Sequence, residues 1–373
     1  MLSAPSFRVS PLAYALMCIS LGAPLLALSD DTQAETASEP DELPALAAAS
    51  EQASVVGVSS GGYMATQLAV SWPERFSGLG VLAAGPWSCA QGSLSLALNQ
   101  CMMTRRGEPS LDELESRHQR YLALEQVGSA EDLSQLRAYL WHGEADEVVE
   151  PVLGDLLAEQ WEQWLASPDQ LRVVRSEGVG HGWPVRLPNG TSTSSDTWGD
   201  CGQGGGSFLL ACDEDIAGDM LNWLYPESES AEANGERAGE LVAFDQSEFA
   251  VKGLADTGYV FIPQGCEAGG CPVTLALHGC QMSEAAIGET FVRDTGLNAW
   301  AATHQQIVLY PQAESSMANP QGCWDWWGFA ESTWQLSPQH DTRSGTQIGA
   351  LMAMLDRLQA APEPVSAEQA TSE

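Results

Sequence analysis

Short apolar runs alternate with helix-patterned stretches along most of the chain. Ser54–Val58, Gly78–Ala84, Arg137–Trp141 and Leu171–Arg175 read as strands, and so do Gly258–Ile262, Val273–Leu277 and Gln306–Tyr310. Gly62–Ser71 reads as a helix, and Gly345–Leu358 as an amphipathic one. Strands interleaved with helices predict an α/β fold with a mostly parallel central sheet and helices on both faces. Residues 51–360 are expected to form one domain. Around them the pattern fades. Residues 30–50 are acidic and alanine-rich and read as a flexible lead-in, 226–240 as a surface loop or linker, and 361–373 as a solvated tail. Arg8, the apolar run Pro11–Leu28 and the acidic pair Asp30-Asp31 predict a signal peptide over residues 1–29. The run holds Gly22 and Pro24 and barely reaches spanning length, which disfavours a retained anchor. The expected product is secreted, extracellular or periplasmic, with no membrane partner once the segment is removed.

Export changes the reading of the cysteines. Eight lie beyond the apolar run: Cys89, Cys101, Cys201, Cys212, Cys266, Cys271, Cys280 and Cys323. An even count in an exported chain predicts disulfides. Pairing by proximity gives 89–101, 201–212 and 266–271 and leaves 280–323, although sequence alone leaves other connectivities open. The chain has no CxxC pair and no His/Cys cluster, so no metal is expected.

Gly57-Val-Ser-Ser-Gly-Gly62 follows a strand and opens a helix, the context of a GxSxG nucleophile elbow. Gly57 and Gly61 flank Ser59 at −2 and +2; centring on Ser60 would put Val58 where glycine belongs. A serine nucleophile needs an imidazole base, and the base needs an orienting carboxylate, here in the order Ser, acid, His. Asp146 follows the strand ending at Trp141, with Glu144 and Glu147 as rivals, and His181 follows the strand at 171–175. Both sit just past the C-terminal end of a strand, where open α/β sheets place their sites. Of the six histidines, His142 and His278 each precede a glycine at a strand end and read as shaping turns; His118, His304 and His340 lack the strand–loop context. An oxyanion hole needs two backbone N–H groups. Ser60, after the nucleophile, supplies one, and Cys280 in the turn Leu277-His-Gly-Cys-Gln281 the other. That turn ordinarily precedes the serine, but here it follows by some 220 residues, so a circularly permuted strand order is expected.

Gly57-Val-Ser-Ser-Gly-Gly-Tyr-Met-Ala65, His142-Gly-Glu-Ala-Asp146, Gly180-His181, Gly253-Leu-Ala-Asp-Thr-Gly-Tyr259, His278-Gly-Cys280 and Gly322-Cys-Trp-Asp-Trp-Trp-Gly328 together resemble the single-domain extracellular polyhydroxybutyrate (PHB) depolymerases. The likeness spans roughly residues 50–360. It implies a circularly permuted α/β-hydrolase fold and hydrolysis of poly(3-hydroxybutyrate), polymer or oligomer, without a cofactor. Carried onto this chain, Ser59 is the nucleophile, Asp146 the orienting acid, His181 the base, and Ser60 and Cys280 the oxyanion donors. The resemblance also implies a substrate tryptophan within Trp324-Asp-Trp-Trp327; Trp327 is the first choice, with Trp324 and Trp183 as further candidates. The competing expectation is a feruloyl or acetyl-xylan esterase on the same scaffold, against which the chain order counts. A Cys280–Cys323 bond would tie the oxyanion loop to the tryptophan cluster.

Charge sets this chain apart from the resemblance. Its 373 residues carry 15 basic and 50 acidic side chains, a net −35, and Lys252 is the single lysine. Nucleic acid and anionic membranes are bound by basic patches and are excluded as partners. A hydrophobic fraction of 44% with 13 tryptophans excludes global disorder, so the acid lies on the surface of a real core. Such a surface is expected to keep the protein hydrated in concentrated salt, where screening also relieves its self-repulsion. Thermal unfolding should therefore lose cooperativity in low salt and regain it in molar salt; melting that ignores salt contradicts a halophilic design.

Overall fold

The computed structural model describes residues 40–187, 198–228, 239–331 and 338–362. The expected signal peptide, residues 30–39, most of the 226–240 segment and residues 363–373 lie outside them. Eleven strands are formed: β1 (Asp41–Glu42), β2 (Ser54–Val58), β3 (Gly78–Leu82), β4 (Arg137–Gly143), β5 (Leu171–Ser176), β6 (Trp183–Arg186), β7 (Leu209–Cys212), β8 (Gly239–Asp245), β9 (Thr257–Pro263), β10 (Val273–Leu277) and β11 (Ile307–Tyr310) among the described residues. The helices are α1 (Ser60–Ser71), α2 (Leu94–Gln100), α3 (Leu111–Ala123), α4 (Ala130–Leu133), α5 (Pro151–Trp164), α6 (Ile216–Leu224), α7 (Glu284–Ile287), α8 (Thr290–Asp294), α9 (Leu297–His304) and α10 (Thr346–Gln359).

Nine strands make one sheet in the order β1-β8-β9-β11-β10-β2-β3-β4-β5; β6 and β7 pair separately. Only β9 runs against its neighbours β8 and β11. The other neighbours in the sheet are parallel. Central strands β2, β3 and β10 are buried at every position, as expected for a parallel sheet covered on both faces. Side chains alternate between two cores with a period of two. Val55, Leu79, Val81, Leu140 and Leu275 join one core with α1, α5 and α10. Val56, Val58, Leu82, Tyr139 and Ala276 join the other with α6 and α9. The approach of α6 is close enough that a Cβ on Gly80 would meet Met220 Sδ at 2.3 Å.

Two expectations need correction. The lead-in was to be flexible through residue 50, but its described part is stitched down. Leu43 is fully buried, and Leu46 and Ala48 nearly so. The N–H groups of Leu46 and Ala48 both donate to Leu358 O, and that of Ala47 donates to Ala360 O. Apolar residues spaced along an acidic stretch thus pack against the end of α10. The surface loop or linker expected at about 226–240 gives way at Gly239, since Gly239 and Glu240 already pair with Pro263 and Ile262 as the start of β8.

Among the described residues four disulfides join Cys89–Cys101, Cys201–Cys212, Cys266–Cys271 and Cys280–Cys323. Three close short local loops; the fourth ties the turn after β10 to the tryptophan segment.

Candidate active site

Ser59 stands between β2 and α1 with φ 56° and ψ −121°. A non-glycine residue with positive φ is uncommon, at about 1–3 kcal/mol, and persists only where its surroundings enforce it. Here the Ser59 N–H donates to Leu82 O at 2.9 Å and its carbonyl accepts from Tyr63 N–H at 3.0 Å. The flanking glycines make room. A Cβ on Gly57 would meet Gly61 O at 2.3 Å, and one on Gly61 would meet Leu277 O at 2.2 Å.

Asp146 follows β4 and His181 follows β5, so three side chains converge at the C-terminal edge of parallel strands. His181 Nε2 lies 3.0 Å from Ser59 Oγ, and its Nδ1 lies 2.7 Å from Asp146 Oδ2. Asp146 Oδ1 accepts the N–H groups of Val148 at 2.8 Å and Val149 at 2.9 Å. Burial pushes the Asp146 carboxyl up, but hydrogen bonds and charge from His142 and His181 outweigh it and hold the group well below the usual aspartate range. It therefore stays ionised beside the base. The rivals Glu144 and Glu147 are exposed. Geometrically this is a serine hydroxyl with an imidazole within proton-transfer reach and a fixed carboxylate behind it, the arrangement that acyl transfer requires.

Ser60 opens α1, where first-turn N–H groups have no intrahelical acceptor. Cys280 lies on the turn after β10, beside the elbow. That turn is held from several directions. His278 is buried; its Nδ1 lies 2.7 Å from Gly279 O, and its Nε2 accepts Ala313 N–H at 3.1 Å. One nitrogen must donate and the other accept, so only the neutral ring satisfies both. Trp324 Nε1–H donates to His278 O at 2.9 Å, and Gln281 N–H donates to Gln321 O at 2.7 Å. His278 thus shapes the turn carrying Cys280, as its place at a strand end predicts, and also ties that turn to Ala313, a partner 35 residues on that the sequence does not reveal.

Ser59 and His181 open into a cleft of about 350 Å³. Its walls include Trp326, Trp327, Phe208, Met282, Leu98 and Met102. Trp326 stacks flat on Tyr63, centroids 4.3 Å apart. Phe208 packs T-shaped with the His181 ring, centroids 6.1 Å apart, and itself has a positive φ of 58°. Of the three expected substrate tryptophans, Trp327 lines the cleft and the other two do not. Trp324 is fully buried behind the turn carrying Cys280. Trp183 is fully buried on β6, donates its indole N–H to Thr295 O at 3.1 Å and packs edge-on to Phe291. Both are core residues, since each indole N–H is satisfied internally. Trp326, inside the segment the resemblance points to but not singled out there, also lines the cleft, whereas Phe208 and the α2 residues carry no local signal in the sequence.

The neutral state of His278 has a consequence for stability. Burial pushes its imidazole down to about 4. A group depressed below its ordinary value near 6.5 stabilises the fold fully above that value. The contribution is lost as pH falls from about 6.5 toward about 4, and amounts to about 3 kcal/mol. Urea denaturation should show wild type losing that much more than His278→Asn between pH 7 and pH 4. A constant gap between the two contradicts the assignment.

No protein-family model matches the chain. A poly(3-hydroxybutyrate) depolymerase from Delftia acidovorans is 32% identical over 335 residues, covering 87% of this chain; the chain spans 64% of that relative's length. A polyhydroxybutyrate depolymerase from Talaromyces funiculosus is 33% identical over 331 residues, 85% of this chain and 92% of that one. Among solved structures, a PHB depolymerase serine-to-alanine variant complexed with an R3HB trimer is similar with a TM-score of 0.75 and 30% identity, over 85% of this chain and 98% of that one. A PHB depolymerase from Penicillium funiculosum is similar with a TM-score of 0.74 and 31% identity over the same shares. With a third of its residues shared across nearly the whole fungal relative and a matching fold, this chain belongs to the polyhydroxybutyrate depolymerase family.

Proposed function

We propose that this chain is a secreted serine esterase that hydrolyses poly(3-hydroxybutyrate) and its oligomers to 3-hydroxybutyrate units. The observation that carries the reading is the Ser59–His181–Asp146 relay opening into a cleft whose described lining holds no carboxylate, lysine or arginine. On a chain of net charge −35 such a lining is a selective feature. A methyl-bearing, uncharged polyester matches it by apolar contact. The Trp326 ring, held flat on Tyr63, gives the cleft an apolar wall for such a chain. The relative solved with an R3HB trimer supports an oligomer in this cleft. Disulfides support an oxidising compartment, and among the described residues no helix is long and apolar enough to cross a membrane.

The chemistry follows from the geometry. Ser59 Oγ attacks the ester carbonyl while His181 Nε2 takes its proton. Asp146 holds the ring in the tautomer that presents Nε2 as acceptor and stabilises the imidazolium. The Ser60 and Cys280 N–H groups receive the oxyanion. His181 returns the proton to the leaving hydroxyl, and water activated by the same ring releases the 3-hydroxyacyl group from Ser59.

The strand order is read as circularly permuted. β10 lies beside β2 in the sheet although the chain reaches it some 220 residues later, and the segment outside the described residues at 229–238 separates the two halves. The bonds from Ala47 N–H to Ala360 O and from Leu46 N–H to Leu358 O bring the far ends of the domain together.

Two experiments test these readings. The mature chain in molar salt should clear suspensions of amorphous PHB, and Ser59→Ala should lower the rate by at least about a thousandfold while melting like wild type. No clearing, with Ser59-dependent cleavage of feruloyl or acetyl esters, would move the substrate to the competing class. A rearranged chain starting at Gly239, with residues 362 and 40 joined by a short flexible linker, should fold and label with a fluorophosphonate at the wild-type rate. Failure to fold contradicts the permutation.

A further inference from the structure

The Asp146 carboxylate serves two imidazoles. His181 Nδ1 lies 2.7 Å from Oδ2. His142, near the end of β4, places Nε2 3.3 Å from the same oxygen and 2.9 Å from Val149 O. Both of these neighbours are acceptors, so His142 Nε2 carries the hydrogen, bonded to Val149 O with Asp146 Oδ2 beside it. The other ring nitrogen is buried with no hydrogen-bond partner among the described residues. It faces α5 at Gly154, where an added Cβ would meet it at 2.4 Å. A ring committed at one nitrogen and sealed at the other has no alternative pose. Val149 closes the circuit, since its own N–H donates to Asp146 Oδ1 at 2.9 Å.

We propose that His142 is a positioning residue, which by donating Nε2–H jointly to Val149 O and Asp146 Oδ2 locks the Asp146 loop and limits the negative charge that Oδ2 offers to His181. The inference rests on reading Ser59, His181 and Asp146 as the triad. Oδ1 is already saturated by two backbone N–H groups, so the charge left to act on His181 resides on Oδ2. A second donor on that oxygen weakens its pull on the imidazolium. The other ionisable groups around Asp146 are accounted for. On its own loop Glu144 and Glu147 are exposed, and Glu150 binds Thr104. On α5, Asp155 is exposed and paired with Arg175. On α1, the Tyr63 hydroxyl is pushed up by burial, stays neutral and donates to Cys101 O.

The test compares wild type with His142→Phe and His142→Gln. The readouts are the pH dependence of fluorophosphonate labelling at Ser59 and of kcat/KM on a soluble 3-hydroxybutyrate oligomer. In His142→Phe the acid limb should move up by about half to one pH unit, with kcat down about tenfold and KM within about twofold. His142→Gln, whose amide can donate to the same oxygens, should restore the wild-type limb. A folded His142→Phe protein with an unmoved acid limb overturns the proposal. If the Phe variant does not fold, wild type labelled with ¹⁵N-histidine decides. His142 Nε2 should carry a proton at pH 7 whose resonance moves as His181 titrates; an unprotonated Nε2, or a resonance indifferent to His181, overturns it. If wild type itself shows no Ser59-dependent labelling, the triad reading fails instead, and the histidine spectrum still reports on His142.

Discussion

The active cleft depends on one parallel pairing, β2 against β10. Its register sets Gly57 opposite Leu277, which puts the serine elbow and the turn carrying Cys280 side by side although they lie some 220 residues apart. The contact is tighter than side chains permit: Gly61 lies where a Cβ would be 2.2 Å from Leu277 O and 2.4 Å from His278 O. The elbow's glycines are therefore needed twice, once for the sharp turn and once for the approach of the neighbouring strand. The positive φ of Ser59 is held by this packing rather than by the residue's own preference. On the far side, Trp324, the neutral His278 ring and the Cys280–Cys323 bond fix the turn carrying Cys280 against the same edge.

Electrostatics divide the molecule into two regimes. The chain carries a large net negative charge, yet the cleft's described lining is uncharged apart from the titratable His181. The one carboxylate serving the site is buried and surrounded by donors: two backbone N–H groups and two histidines. In a low-dielectric pocket those donors keep Asp146 ionised without an arginine or lysine partner. Surface acidity and the electrostatics of the cleft are thus separable.

What the sequence discloses follows from how local each signal is. β2, β10 and the elbow are legible because their patterns are contiguous: an apolar five-residue strand, then glycines at fixed offsets from a serine. Asp146 and His181 are legible from their position after strands. β8 is hidden because Gly239-Glu-Leu starts it in a polar stretch, and its pairing with β9 supplies the order. Leu43 and Leu46 are buried despite an acidic setting because α10, from the other end of the chain, covers them. Trp183 and Trp324 are misjudged because nearness in sequence to a functional residue does not settle which way a side chain faces. Trp183 is two residues from His181, yet it turns into the core against Phe291. His142 is visible only once β4 and α5 close around Asp146.

The central claim is that the β2–β10 pairing builds an oxyanion site opposite Ser59. A crystal structure of the protein inactivated by a small phosphonate tests it most directly. The account predicts phosphorus bonded to Ser59 Oγ and a phosphonyl oxygen about 2.7–3.1 Å from both the Ser60 and Cys280 nitrogens, with His181 Nε2 facing Ser59 Oγ or the departed group. An adduct on another residue, or a phosphonyl oxygen turned away from both N–H groups, contradicts it.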